Sequence, residues 1–188
     1  MNLRQLPELL DALRALSPMP SDEELEAHPE EGAQLLDTYV EIIEAIRNAI
    51  VVDYPPEIVT SLLASFGVGD GGESYWTVLH LIEAFPRKDL LHSLIQQASE
   101  NPNPGTRLWS CIMLGRWRSL DDVPLFLKRL KDAVPAVRQA ALQDGIATLA
   151  QKYTLPYAVP SVAELLNDEH EAVRRAAKRV LAALQAQE

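Results

Sequence analysis

The chain has 188 residues, of which 47% are hydrophobic and 23% charged, a composition that fits a well-buried domain or a short array of repeats and argues against disorder. Its formal net charge of −10 repels a phosphate backbone, so a basic partner is favoured and nucleic acid is not expected. The one cysteine, Cys111, excludes an internal disulfide and suits a reducing cytoplasm.

The first residues lack the basic and apolar regions of a signal peptide, and no apolar run reaches the roughly 18–20 residues of a membrane span. A cytoplasmic protein with no membrane partner is expected. Leu3, Leu6, Leu9, Leu10, Leu13 and Leu16 follow helical spacing, and Pro18 and Pro20 end that helix. Ser21 and Glu24 form a capping box on a brief acidic helix. From about Pro29 to Val52 a longer helix places Leu35, Leu36, Tyr39, Ile42, Ile43, Ile46 and Ile50 on one face and Glu30, Glu31, Asp37, Glu41 and Glu44 on the other.

Beyond Tyr54-Pro55-Pro56 the spacing predicts helix pairs: 57–66 with 73–85, 88–99 with 105–117, 121–132 with 134–151, and 156–167 with 170–186. No segment sustains an alternation of period two, so no sheet is expected. The pairs repeat. Asp132, Val137, Arg138, Ala140 and Ala141 recur as Asp168, Val173, Arg174, Ala176 and Ala177, an offset of 36 residues (168 − 132). Gly72, Trp76 and Leu81 match Gly105, Trp109 and Leu114 at an offset of 33 (105 − 72). Small residues (Thr77, Ser110, Ala141, Ala177) stand at one point of each second helix, where they let neighbours approach closely.

Asp-x-x-x-x-Val-Arg-x-Ala-Ala within helical hairpins of this period resembles the HEAT repeat. Residues 132–142 and 168–178 carry the signature, while the upstream units depart from it at Trp76 and Trp109. The resemblance covers roughly residues 56–186 and implies an all-α fold, a right-handed α-solenoid of about four HEAT-like hairpins. It also implies that the second helices line a concave surface that binds another protein. Residues 1–52 are expected to form an N-terminal acidic helical cap, and residues 53–188 one continuous repeat domain.

Several motifs invite chemistry. Gly67-Val-Gly69-Asp70-Gly71-Gly72 fits the letter of the dinucleotide fingerprint. A helix rather than a strand feeds it, and Asp70 stands where phosphate would sit, so a flexible hairpin loop is expected and no cofactor. His170-Glu171 resembles the pairs that bind metal in HEAT-like iron hydroxylases, but it occurs once, and no metal site is expected. Cys111, among Trp109, Ile112 and Leu114, reads as a packed thiol rather than a nucleophile. Arg107, Arg138 and Arg174 form either a stripe for phosphate or a ladder of internal ties, and the ladder is the better reading, because buried arginine normally has an acidic or carbonyl partner.

Trp76, Trp109 and Trp117 remain as anchors if exposed and as filler if buried. With Asp70, Glu73, His80 and Glu83 they make up the expected partner-binding set, with no catalytic residue. A small acidic chain of this kind resembles the bacterial immunity proteins of polymorphic toxin systems, which implies one basic protein partner, a toxin occluded on an acidic concave face. A scaffold or regulatory adaptor shares these features. A HEAT-like DNA glycosylase or a bilin lyase is the enzymatic alternative, for which Arg116, Arg118, Lys128, Arg129 and Lys131 offer a local basic patch.

Overall fold

The computed structural model describes residues 5–50 and 54–186. These are helical between short joints, with no strand among the described residues. The expected helix start at Leu3, the end of the third helix at Val52 and the division between residues 52 and 53 lie outside the described residues. By contact the chain groups into two compact units, residues up to Thr106 and residues from Arg107 onward.

The first unit holds α1 (Leu6–Leu16), α2 (Asp22–Ala27), α3 (Pro29–Ala49), α4 (Pro56–Ser65), α5 (Ser74–Glu83) and α6 (Lys88–Ala98). Helix α1 turns Leu6, Leu10 and Leu13 inward and packs on α3 and α4. The capping box forms as its spacing requires: the Ser21 hydroxyl accepts the Glu24 amide at 3.3 Å, and the Glu24 carboxylate accepts the Ser21 amide at 2.8 Å. Helix α3 buries Tyr39, Ile43 and Ile46, the middle of its expected face, while Leu35, Leu36 and Ile42 stay half-buried. Helix α4 buries residues on most of its circumference and packs against α5 and α6 as well as α1. Tyr75 of α5 joins this core through rings, 5.8 Å from Tyr39 and 5.4 Å from Phe66, both edge-on. The Tyr39 hydroxyl meets Ser65 Oγ at 2.8 Å, which satisfies both groups in a dry place.

Helix α7 (Pro104–Trp117) starts at the end of this unit. Asn103 sets its first turn, donating to the Phe66 carbonyl at 2.7 Å and accepting from the Gly105 amide at 3.0 Å. Most of α7 belongs to the second unit. There a 3-10 turn at Leu120–Asp122 feeds α8 (Val123–Arg129), and α9 (Pro135–Ala140) runs without a break through a π turn at Ala141–Ile146 into α10 (Ala147–Ala150). Then come a 3-10 turn at Pro156–Ala158, α11 (Val159–Glu164), another at Leu165–Asn167, and α12 (Glu171–Gln185). The π turn sits where helices crowd. A Cβ on Gly115 of α7 would stand 1.9 Å from the Asp144 carbonyl oxygen, and one on Gly145 would stand 2.5 Å from the Phe126 ring. Of the small residues expected to allow close approach, Ser110, Ala141 and Ala177 are fully buried and Thr77 is half-buried.

Candidate functional site

Helix α5 divides its residues cleanly. Tyr75, Val78, Leu79 and Ile82 are buried. Glu73, Trp76, His80 and Glu83 follow at steps of three and four, which places them along the opposite stripe. Trp76 keeps 40% of its surface exposed, an unusual arrangement for so large an apolar side chain. His80 Nδ1 lies 3.6 Å from the Glu83 carboxylate, close enough for an ion pair when the imidazole is protonated.

The start of the stripe is built by the glycine loop. Asp70 accepts the Glu73 amide at 3.2 Å, and Glu73 itself takes a left-handed backbone, φ 72°. Gly69 at φ 118° passes so close to Asp22 that an added Cβ would stand 2.0 Å from its carboxylate oxygen. Asp22 accounts for the loop. Its two carboxylate oxygens accept the amides of Asp70 and Gly71, each at 2.9 Å. Those two amides are the kind of donors that a dinucleotide phosphate takes in a glycine loop, and here an internal carboxylate already occupies them. The loop expected to be flexible is held at both amides. In the sequence nothing marks Asp22 for this role, because its place at the start of α2, inside a capping box, explains an acid without any distant contact.

The seven expected partner-binding residues fall in both units. Asp70, Glu73, Trp76, His80 and Glu83 belong to one loop and one helix of the first unit. Trp109 and Trp117 belong to α7 in the second unit. Trp109 is 1% exposed, so its indole offers a partner no surface, which corrects its place in the set; Trp117 is half-buried. A Trp in register with Trp76 thus takes the opposite fate, for a reason that lies in packing and not in spacing.

The repeated arginines form ties. Arg107 donates to Asp132 through Nε at 2.7 Å and Nη2 at 2.8 Å, a fork on a carboxylate. Arg138 makes the same fork on Asp168, at 2.7 and 2.8 Å. Its Nη1 also donates to the carbonyls of Asp132 and Ala133, and Arg174 Nη1 does so to those of Asp168 and Glu169. Each aspartate closes its own turn too, accepting the amide two residues on (Val134 or His170). Burial works to raise both carboxyl pKa values, but the arginine and amide hydrogen bonds outweigh it and hold both below the ordinary range. Arg129, from the expected basic patch, is buried and donates to Asp132 at 3.2 Å, while Arg118 of the same patch reaches Gln151 at 3.0 Å.

Cys111 is fully buried, and that burial pushes its thiol up to about 12, where it holds almost no thiolate at neutral pH. Among the described residues no three ligand-type side chains converge on a point that could hold a metal ion, and none of their helices is long and apolar enough to cross a membrane. No protein-family model matches the chain, and no curated protein is significantly similar to it.

Proposed function

We propose that this protein is a non-catalytic, cytoplasmic binding module, a right-handed solenoid of about four HEAT-like hairpins behind an acidic helical cap, that captures one basic protein. An immunity protein occluding a basic toxin is the form of this reading that we favour. The observation that carries it is Trp76, exposed on the stripe of Glu73, His80 and Glu83, just after the loop of Asp70, in an acidic unit. Up to Thr106 the sequence holds 18 acidic and 5 basic residues, net −13; from Arg107 on it holds 9 and 12, net +3. An exposed tryptophan on the same helix stripe as Glu73 and Glu83 supplies an apolar anchor and draws in cations, the two contributions a basic partner requires. The ladder of Arg107 and Arg138 supports the repeat reading, because the same fork recurs from Arg107 to Asp132 and from Arg138 to Asp168.

The test is capture of partners from the source cell by the full chain, followed by co-expression with each captured protein. A basic protein whose toxicity this chain relieves supports the reading, and recovery of housekeeping assemblies alone sinks the immunity form of it. Trp76→Ala is expected to weaken capture by roughly tenfold or more while leaving the thermal midpoint within a few degrees, as truncation of an exposed anchor does. Unchanged affinity moves the binding surface elsewhere.

A further inference from the structure

In the second unit a groove runs between α12 on one side and α9, the π turn and α10 on the other. It consists of two adjoining cavities of about 460 and 290 Å³ that share Arg179. One rim carries Arg175, Lys178 and Arg179 of α12, and the facing rim carries Gln139 and Gln143, whose amides meet at 3.2 Å. Ala172, Ala147 and Ala183 give the lining between them a small apolar surface.

These cations differ from the ladder arginines. Arg107 and Arg138 are committed to buried aspartates. Arg175 has a single ion pair, with Glu171 at 3.6 Å between side chains 71% and 72% exposed, and such a pair contributes little. Lys178 and Arg179 pair with no carboxylate among the described residues. Three available cations thus line one edge of a groove in a molecule whose overall charge is −10.

We propose that this groove binds an acidic, extended segment of a partner protein. From Ala172 to Ala183 the α12 wall is about 16 Å long at ~1.5 Å per residue, enough for about five extended residues at ~3.3 Å each. In such a segment alternate side chains point to opposite sides, so acidic ones reach the cationic rim while small apolar ones meet the alanines. The glutamine amides offer both donors and acceptors, which matches a peptide backbone and not a phosphate, which only accepts. A single-stranded nucleic acid would also need a ring to stack on, and no aromatic residue lines either cavity. The inference stands on the second unit alone and is independent of the function proposed for the first.

The test uses the full chain and a fluorescein-labelled peptide of about eight residues alternating glutamate and alanine, followed by anisotropy at about 0.1 M salt. Saturable binding is expected, weakened roughly tenfold or more by the double substitution Arg175→Glu with Arg179→Glu and less by Arg175→Gln with Arg179→Gln. Both side chains are exposed, and circular dichroism checks that the variants stay folded. Lys131→Glu, an exposed cation outside the groove, is the control and should leave affinity unchanged. Absence of peptide binding overturns the proposal, and so does an equal loss in the control. Tighter binding of a single-stranded oligonucleotide of matched charge, lost on the same double substitution, also overturns it and makes the groove a phosphate site.

Discussion

Arg138 and Arg174 occupy equivalent places 36 residues apart (174 − 138), yet their environments differ at one edge of the guanidinium. Arg138 clamps Asp168 while the two side chains are 8% and 6% exposed. Arg174 keeps the matching carbonyl contacts, but its Nε and Nη2 meet no carboxylate among the described residues. Arg138→Ala is therefore expected to cost about 3–5 kcal/mol in urea unfolding, since it strands a buried carboxylate. Arg174→Ala should cost well under half of that, and equal losses would refute the ladder account. Acid tests the same pairs from the other side. Asp132 and Asp168 have folded pKa values below their unfolded ones, so the stability they contribute is present above the ordinary carboxyl range and is lost as pH falls through the folded values. Asp144 behaves oppositely: burial raises its pKa, so ionising it above the ordinary range works against folding. Asp144→Asn is expected to match or exceed the native thermal midpoint at pH 7, with the gain shrinking toward pH 4. A lower midpoint at pH 7 would show that the carboxylate makes a favourable contact.

At the scale of elements, the loop from Gly67 to Gly72 shows how a distant side chain determines local structure. Its glycines permit the positive φ angles, at Gly69, Gly71 and Gly72, but the two amides that shape the turn are satisfied from α2 by Asp22. Removing that carboxylate makes two solvent-near donors exchange their acceptor for water, a loss of about 0.5–1.5 kcal/mol each. Asp22→Ala is expected to speed hydrogen exchange at the Asp70 and Gly71 amides and to loosen the entry to α5. Exchange that stays as slow as in the native protein would show that other contacts hold the loop. The π turn at Ala141–Ile146 was also not foreseeable. The periodicity predicts a helix over 134–151 and the helical run is there, Pro135 to Ala150. The wide turn within it arises where the Asp144 carbonyl abuts Gly115, a contact between residues 29 apart (144 − 115).

Over the whole molecule, charge is divided more sharply than the net value of −10 conveys, with −13 up to Thr106 and +3 beyond it. Capture of a basic partner by the first unit should slow as salt rises, because a Debye length of about 10 Å at 0.1 M shrinks to about 3 Å at 1 M. The association rate is expected to fall by roughly tenfold or more between those limits, with a smaller change in dissociation. A rate indifferent to salt would leave the acidic face without a steering role.

Helical periodicity, proline and glycine joints and the period-36 motif were enough to establish an all-helical chain and most element positions, because each is a property of neighbouring residues. The arginine ties were legible too, since a buried arginine normally has an acidic or carbonyl partner. What the repeat could not supply was the fate of side chains whose neighbours come from far along the chain. Trp76 and Trp109 stand in register, yet one is 40% exposed and the other 1%. Burial is a sum over contacts from other helices, and register carries no record of that sum. For the same reason the carboxylate of Asp22 in the glycine loop, and the meeting of Gln139 with the cations of α12, were decided by tertiary structure alone.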